Sequence, residues 1–451
     1  MIQNEIVKGN WSLPGETESY SGTLTFNPID GAELEIHGSF RRTYTHSSIG
    51  VVHGQTIDGW ITLLNVRQVI STGSNVTGAS LTKYTPIYIF VGHRFDSVEQ
   101  IRFRCVKFSL FNLFEWINPV TVQEDSNKGH YILNYVTPAP IPLKCYDGCS
   151  GSIECSLDRK SGFDFQEVVI KQKATITLTY DYPRSYKEII QDTLTFLRFL
   201  TLCTYEQSYF IDMILLDDDL QETISQGNQK RCIPKLIKLI YQSPFYSPIY
   251  KNRKFYRHLV RYESIVSDFE TILPSWFTLS KELEQPLELI FRSFINKYEF
   301  SVEKFMDIAK AIELFHRLRF SNKVLPEEEF ENRKAKFRLK DLTTKELEWI
   351  EGRMKHGNEP SLFKRLKELA KKYRFSYFDT RVENLGKFCI QASDNRNYYT
   401  HFDYSLKEKS FNGKELFDLM ENLKLILLAG ILNSIGIPTA AFEQSIQGVI
   451  Y

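Results

Sequence analysis

The chain has 451 residues, of which 42% are hydrophobic and 14% are aromatic, so it holds enough apolar side chains for two or three folded domains. This composition excludes an intrinsically disordered protein. The 56 basic residues nearly cancel the 55 acidic ones, which excludes nucleic-acid binding through overall charge. Any nucleic-acid surface must therefore be a local basic patch.

The N-terminal residues and the cysteines indicate the compartment. The first five residues lack the basic and apolar segments of a secretory signal peptide, and the cysteine count of seven is odd. We therefore expect a reduced, cytoplasmic protein. The most apolar stretch, 416–435, is interrupted by charged and polar residues, so we expect a buried helix there and no membrane association.

Residues 1–181 predict a β-rich domain. Short runs rich in Thr, Val, Ile and aromatic residues recur between Gly, Pro, Asn and Asp turn signals. These runs lie at 20–26, 34–40, 61–66, 87–92, 101–110 and 168–180. Strands at this spacing, without helical patterns between them, favour an antiparallel sandwich or barrel over a parallel sheet.

Helical periodicity begins near residue 185 and is followed by an apolar run at 209–216 that predicts a buried strand, so residues 182–275 form a mixed α/β region. Residues 276–451 predict an all-α bundle with a charged, exposed stretch at 322–345. The helices are expected at 283–294, 305–315, 343–354, 361–373, 381–392 and from Gly413 to near Gly436. The predicted fold class is therefore α+β.

An arginine and a histidine five residues apart carry the functional prediction. Arg396, Asn397 and His401 form an R-N-x3-H segment just before the last long helix. The R-x4-H spacing occurs twice more, at 41–46 and 253–258. In those two matches a basic residue follows the arginine and no comparable apolar helix comes next, so we assign the site to the first segment.

These residue types can cleave RNA without a metal. Cleavage requires a base for the 2′-hydroxyl, an acid for the leaving 5′-oxygen and a cation for the phosphorane. His401 can act as acid or base, Arg396 can hold phosphate oxygens and Asn397 can add a neutral donor. Residues five apart on a helix differ by about 140° in direction. The pair therefore needs a second subunit or a helix break, for which Asp394 and Asn395 are suitable turn formers.

The R-N-x3-H segment and the helices around it resemble the C-terminal HEPN domain of the Apea-like family of prokaryotic defence proteins. The β-rich region before them is similar to that family's arrangement. The resemblance implies an endoribonuclease that needs no cofactor and cuts RNA, such as tRNA or another cellular RNA, in abortive infection. By position it assigns catalysis to Arg396, Asn397 and His401. Some HEPN domains bind RNA or a partner protein without cutting, so a non-catalytic scaffold is the alternative.

The resemblance also implies regulation and assembly. We expect a phage-derived signal, received by the β-rich region, to release the toxic activity, and two motifs to form one composite cleft. The helix near 415–435 is apolar around more of its circumference than a surface helix needs. It is therefore either the central helix of the bundle or shares a face with another subunit. We expect a two-fold homodimer through the C-terminal bundle.

A basic helix at 363–375 predicts an RNA-binding surface, with an ordinary solvated helix face as the alternative. One of the two tyrosines in the motif is expected to pack against neighbouring helices instead of contacting RNA. The residues assigned to RNA binding are Lys364, Arg365, Lys367, Lys371, Lys372, Tyr398 and Tyr399.

Three cysteines raise the question of zinc. Cys145, Cys149 and Cys155 supply three of the four ligands that a structural zinc site needs, but they lack paired C-x2-C spacing. We favour buried strand cysteines and predict no metal. The acidic run 217–219 likewise predicts a turn after a strand in preference to a cation site.

Overall fold

The computed structural model divides the chain into two compact units, Met1–Pro274 and Ser275–Tyr451. The first unit is mainly strand and the second is helical, which confirms the α+β class. In the described residues no helix combines the length and the apolar character needed to cross a membrane. The structure describes residues 5–40, 48–73, 80–127, 130–161, 168–226, 229–242, 254–295, 300–338 and 342–450.

The strands of the first unit pair antiparallel throughout the described residues. They are β1 (Glu5–Ser12), β2 (Tyr20–Asn27), β3 (Gly31–His37), β4 (Ile49–Thr56), β5 (Gly59–Gly73), β6 (Ser80–Thr85), β7 (Tyr88–Val91), β8 (Arg102–Leu110), β9 (Val122–Asn127), β10 (His130–Tyr135), β11 (Ile141–Tyr146), β12 (Cys149–Ser161), β13 (Val168–Ser185), β14 (Phe210–Leu216), β15 (Gln221–Gln226), β16 (Gln229–Pro234) and β17 (Ile237–Tyr241).

Six strands close into a barrel. The order is β6-β3-β2-β1-β4-β5, and β5 pairs back with β6. Trp11 of β1 is fully buried beside Gly54 of β4, where an added Cβ would lie 2.3 Å from the indole ring. Glycine at this position therefore makes room for the largest side chain of the barrel core. Of the two predicted architectures, the barrel is the one that forms.

Strand β5 also belongs to an open sheet. One edge of β5 pairs with β7 over 61–64 and with β6 over 67–73. Asn65, between these two segments, has a left-handed backbone with φ 53°. The sheet continues through β17, β14, β8, β13 and β12 to β11, so strands from the predicted middle region extend the N-terminal sheet.

Two helices accompany this sheet, α1 (Leu113–Ile117) and α2 (Tyr186–Thr204). α2 lies where helical periodicity predicted it and contacts β8 and β13. It begins with a capping box, in which the Ser185 side chain and the Glu188 side chain each bond the other residue's backbone N–H. The apolar residues of α2 are buried, so this helix covers part of one face of the sheet.

The cysteine spacing does not form a zinc site. Cys145 and Cys149 are buried near each other at the β11–β12 hairpin. Cys155 lies six residues further along β12, which corresponds to about 20 Å in a strand. The zinc interpretation is therefore wrong. Within the described ranges no three His, Cys, Asp or Glu side chains are grouped to hold a metal. The acidic run is a turn, where Asp217 accepts a bond from the Asp219 N–H.

The second unit is a helical bundle. The helices, beginning with one that crosses the unit boundary, are α3 (Phe269–Glu282), α4 (Glu284–Arg292), α5 (Val302–Arg319), α6 (Glu327–Arg338), α7 (Thr344–Met354), α8 (Leu362–Tyr373), α9 (Ser376–Arg381), α10 (Leu385–His401), α11 (Gly413–Ser434) and α12 (Ala440–Ile450). The predicted helix at 381–392 is in fact α10, which starts later and runs through the motif. Helix α6, in the charged stretch, is mostly exposed, as predicted.

Helix α11 is the central helix of the bundle. It contacts α5, α8 and α9, and its residues from Leu423 to Leu432 are all buried within one chain. Its apolar surface is therefore covered by its own chain, and of the two alternatives the central helix is the one that forms. The expectation of a dimer now depends on the geometry of the motif alone.

Arg365 is a buried structural residue. Its guanidinium donates to Pro360 O at 3.0 Å, to His316 Nδ1 at 3.1 Å and to Asn322 Oδ1 at 2.6 Å. Its assignment to RNA binding is therefore wrong, because these bonds hold the side chain inside the bundle. The sequence pattern could not separate Arg365 from the exposed lysines of α8.

The bond from Arg365 fixes the state of His316. An arginine can only donate, so Nδ1 of His316 must accept, and Nε2 then donates to Glu368 Oε2 at 2.7 Å. Burial lowers the pKa of His316, although the bond to Glu368 acts in the opposite direction. The folded bundle therefore favours the neutral imidazole.

Acidification should destabilise the bundle through His316. Because the folded state has the lower pKa, the unfolded chain takes up the proton first, and stability falls as pH drops below the unfolded value of about 6.5. We expect His316→Gln, which keeps an acceptor and a donor but does not titrate, to lose less thermal stability between about pH 7.5 and about pH 5.5. Equal losses in the two proteins would contradict the neutral assignment.

A methyl group at Gly151 should destabilise the first unit. A Cβ there would lie 1.8 Å from Thr177 O of the paired strand β13. We expect Gly151→Ala to lower the free energy of unfolding by about 1–3 kcal/mol, measured by denaturation of the full chain. The control is Gly50→Ala on β4, where nothing lies within 4 Å. Similar effects of both changes would contradict the β12–β13 pairing.

Candidate active site

Helix α10 positions the whole R-N-x3-H segment. The Asn384 side chain caps its first turn by accepting from Lys387 N at 2.9 Å. The helix then runs unbroken to His401 and ends at Phe402, whose backbone is left-handed with φ 50°. The predicted break before Arg396 is absent. The motif therefore occupies the last turns of a regular helix.

Asn395 and Tyr399 bind the segment that comes after the helix. Asn395 is fully buried, and its Oδ1 accepts from Phe411 N at 2.6 Å. One turn later the Tyr399 hydroxyl donates to Phe411 O. Both backbone groups of Phe411 are thus held by α10, which fixes residues 402–411 against the helix. Asn395 makes this tertiary bond instead of the turn that its residue type predicted.

Arg396 is anchored between two acceptors. Its Nη2 lies 2.9 Å from Glu313 Oε1 on α5, and its Nη1 donates to Asn397 Oδ1 at 3.1 Å. The side chain is half-buried, so its position is set by the bundle and not by solvent. Sequence reasoning missed Glu313, because it precedes the motif by 83 residues and no local pattern connects the two.

Asn397 lies between the other two motif residues. It contacts Arg396 directly, and it is one helical turn before His401 on the same face. Asn397 and His401 are both exposed, whereas Arg396 turns toward α5. Asn397 therefore contacts Arg396 and shares a helix face with His401, but Arg396 and His401 do not lie on one face of the helix.

The carboxylate of Asp403 lies near His401. The hydrogen bond from Ser405 lowers the pKa of Asp403, and His401 contributes in the same direction. Asp403 also accepts from the Ser405 backbone N–H at the start of a 3-10 helix, Tyr404–Lys409. This end of α10 thus combines an exposed imidazole with a fixed anion beside it.

The two tyrosines of the motif form part of a chain of edge-to-face rings. Tyr399 contacts the buried Phe305 at a centroid distance of 6.3 Å. Tyr398 contacts Tyr399 at 5.0 Å and Phe402 at 6.1 Å. Tyr399 therefore serves to pack the bundle, the role expected for one of the pair.

The lysines of α8 are more exposed than Arg365. Lys367, Lys371 and Lys372 are exposed and Lys364 is half-buried. Burial raises the pKa of the Cys389 thiol on α10 to about 11, while the charge of Lys367 acts against this rise. Helix α8 contacts α10, so its basic residues belong to a neighbour of the helix that carries the motif.

The two rival R-x4-H matches fall wholly or partly outside the described residues. Arg41, His46 and Arg253 lie outside the described residues. His258 is fully buried in the first unit. The described residues thus offer the R-x4-H pattern with both members visible only on α10.

Comparison with known protein families matches both units. The ApeA N-terminal domain 1 family matches residues 6–276, more than half of the chain. The Apea-like HEPN family matches residues 306–441, a range that includes Arg396, Asn397 and His401. No curated protein and no solved structure matches. The chain therefore belongs to the ApeA family and has the domain arrangement of an ApeA-type HEPN defence protein.

Proposed function

We propose that this protein is a metal-independent endoribonuclease that acts in antiphage abortive infection. The R-N-x3-H segment at the exposed end of α10, within the residues matched by the Apea-like HEPN family, carries the proposal. Arg396, Asn397 and His401 are the proposed catalytic residues. Their side chains supply a cation, a neutral donor and a proton-transfer group, the set that RNA cleavage needs.

The proposed reaction uses the RNA's own 2′-hydroxyl. Its oxygen attacks the adjacent phosphorus while the bond to the 5′-oxygen breaks, which gives a 2′,3′-cyclic phosphate and a 5′-hydroxyl. His401 either removes the proton of the 2′-hydroxyl or protonates the leaving 5′-oxygen, and water carries out the other proton transfer. Arg396 neutralises the phosphorane, and the amide N–H of Asn397 adds a hydrogen bond to it. An internal nucleophile requires no metal-bound water.

The proposed site is shared by two chains. Arg396 is held toward α5 and His401 is exposed about 140° away around α10. A single phosphate reaches both more readily when Arg396 comes from one protomer and His401 from the other. In a two-fold homodimer through the C-terminal bundle, Arg396 and His401 of both chains line one cleft.

We further propose the substrate and the control of activity. The substrate is cytoplasmic RNA, either tRNA or another cellular RNA, with Lys367, Lys371 and Lys372 of α8 along its backbone and Lys364 beside them. A ribonuclease of this kind harms its own cell, so its activity must be held low before infection. The first unit, which matches a domain specific to this family, is the proposed receiver of a phage-derived activator.

A non-catalytic RNA- or protein-binding scaffold is the second candidate. The observation that favours it is the ion pair between Arg396 and Glu313, since a purely structural arginine would also be held by a carboxylate. Expression separates the two candidates. An enzyme should limit cell growth and lose this effect in His401→Ala, whereas a scaffold should tolerate the change.

We expect Arg396→Ala and His401→Ala each to lower RNA cleavage by at least about 100-fold without unfolding the protein, because each removes a transition-state group and little core volume. The measurement uses purified full chain, total RNA and EDTA, with chemical mapping of the cut ends. The controls are Arg353→Ala and His356→Ala, exposed residues of the same unit. Unchanged cleavage in either site variant, or 5′-phosphate ends, would disprove the assignment.

Mixing two inactive variants tests the shared cleft. If Arg396 and His401 act from different chains, a heterodimer of Arg396→Ala and His401→Ala contains one complete pair, and part of the activity should return. If both act within one chain, every site in the mixture is defective. An inactive mixture, with exchange of subunits verified by mass, would therefore rule out the composite site.

A further inference from the structure

An aromatic residue is exposed directly after His401. Phe402 has φ 50° and ψ 41°, a left-handed conformation that a bulky side chain rarely adopts. Helices usually place glycine at such an end. Yet Phe402 is 68% exposed to solvent, so packing within its own chain does not explain why a phenylalanine occupies this position.

A second exposed ring lies two residues later. Tyr404 is 82% exposed, and the Lys407 ammonium lies 5.5 Å from the centroid of its ring. We call Phe402 and Tyr404 the aromatic platform. Two large exposed rings, two residues apart in the chain and close in sequence to an exposed imidazole, offer flat apolar faces to a ligand that also carries charge or polar groups.

The aromatic platform is held in place before any ligand arrives. Phe402 contacts the ring of Tyr398, the outer member of the edge-to-face chain that reaches the core. Asp403 accepts two bonds from Ser405, and Phe411 is fixed to α10 at the other end of the segment. A ligand that stacks here therefore meets rings that need little further ordering, which favours affinity.

The surrounding charge indicates the ligand. From Phe402 to Lys414 the sequence contains three lysines, Lys407, Lys409 and Lys414, and two acidic residues, Asp403 and Glu408. Unpaired bases stack on exposed aromatic rings, and nearby cations hold the adjacent phosphates. A protein partner would need a much larger buried area than two rings provide. We propose that the aromatic platform binds an unpaired base of single-stranded RNA, beside the phosphate that His401 would act on. This inference rests on the proposed function.

The test measures binding separately from cleavage. The full chain with His401→Ala is titrated with a fluorescent single-stranded RNA oligonucleotide, and with the same oligonucleotide in a duplex. Adding Phe402→Ala or Tyr404→Ala should raise the Kd for the single strand by roughly 5- to 100-fold. The duplex should bind more weakly and respond little, because its bases are already stacked. The matched control is Trp349→Ala on α7, a 65% exposed ring whose loss should leave the Kd unchanged.

Two further substitutions separate the ring from the backbone. Phe402→Gly relieves the left-handed conformation, so thermal stability should hold or rise while RNA binding still falls. Phe402→Trp keeps an aromatic face and should retain binding. If Phe402 only terminates the helix, the glycine variant would bind RNA as well as its parent, and the proposal would be wrong.

Other outcomes are also decisive. Equal Kd values with and without the rings would overturn the aromatic platform even if the wild type cleaves RNA. A loss of dimer mass in the ring variants, with RNA affinity unchanged per chain, would reassign the rings to a contact between copies of this protein and overturn the proposal as well. If the wild type never cleaves RNA, the proposed function fails, while the binding titration still reports on the rings.

Discussion

The unbroken helix α10 is the constraint that sets the site geometry. With 3.6 residues per turn, positions 396 and 401 cannot point the same way. Arg396 forms an ion pair with Glu313 on α5, whereas His401 is exposed to solvent at the end of the helix. Asn397 bonds to Arg396 and shares a helix face with His401, so it lies between a half-buried cation and an exposed imidazole.

A polar interaction inside the bundle positions the segment that follows that helix. Asn395 uses both halves of its amide, one on the helix backbone at Gln391 and one on Phe411. Removing a buried partner of this kind leaves unsatisfied groups that cost about 1–3 kcal/mol each. The same residue thus connects α10 to the segment after it, which carries the exposed rings next to His401.

The sequence was informative where structure depends on local periodicity. The alternating runs of the first unit, the helix after Ser185 and the apolar length of α11 were all legible from spacing. Contacts between residues that are far apart in the sequence could not be predicted from spacing. The hydrophobicity of α11 does not show whether its own chain or another chain covers it. The lysine-rich segment does not show that Arg365 is buried. No sequence pattern connects Glu313 to Arg396. The three cysteines at 145, 149 and 155 do not converge, because residues six apart in one strand lie far from each other.

Strand β5 carries a consequence for sequence change in this family. One edge of β5 pairs first with β7 of the open sheet and then with β6 of the barrel, and the partner changes at Asn65. Inserting or deleting one residue before this point would reverse which side chains face inward along the rest of the strand, in both structures at once. We therefore expect insertions and deletions among natural relatives to occur in the hairpin turns and not within β5, because its register fixes the barrel and the open sheet together.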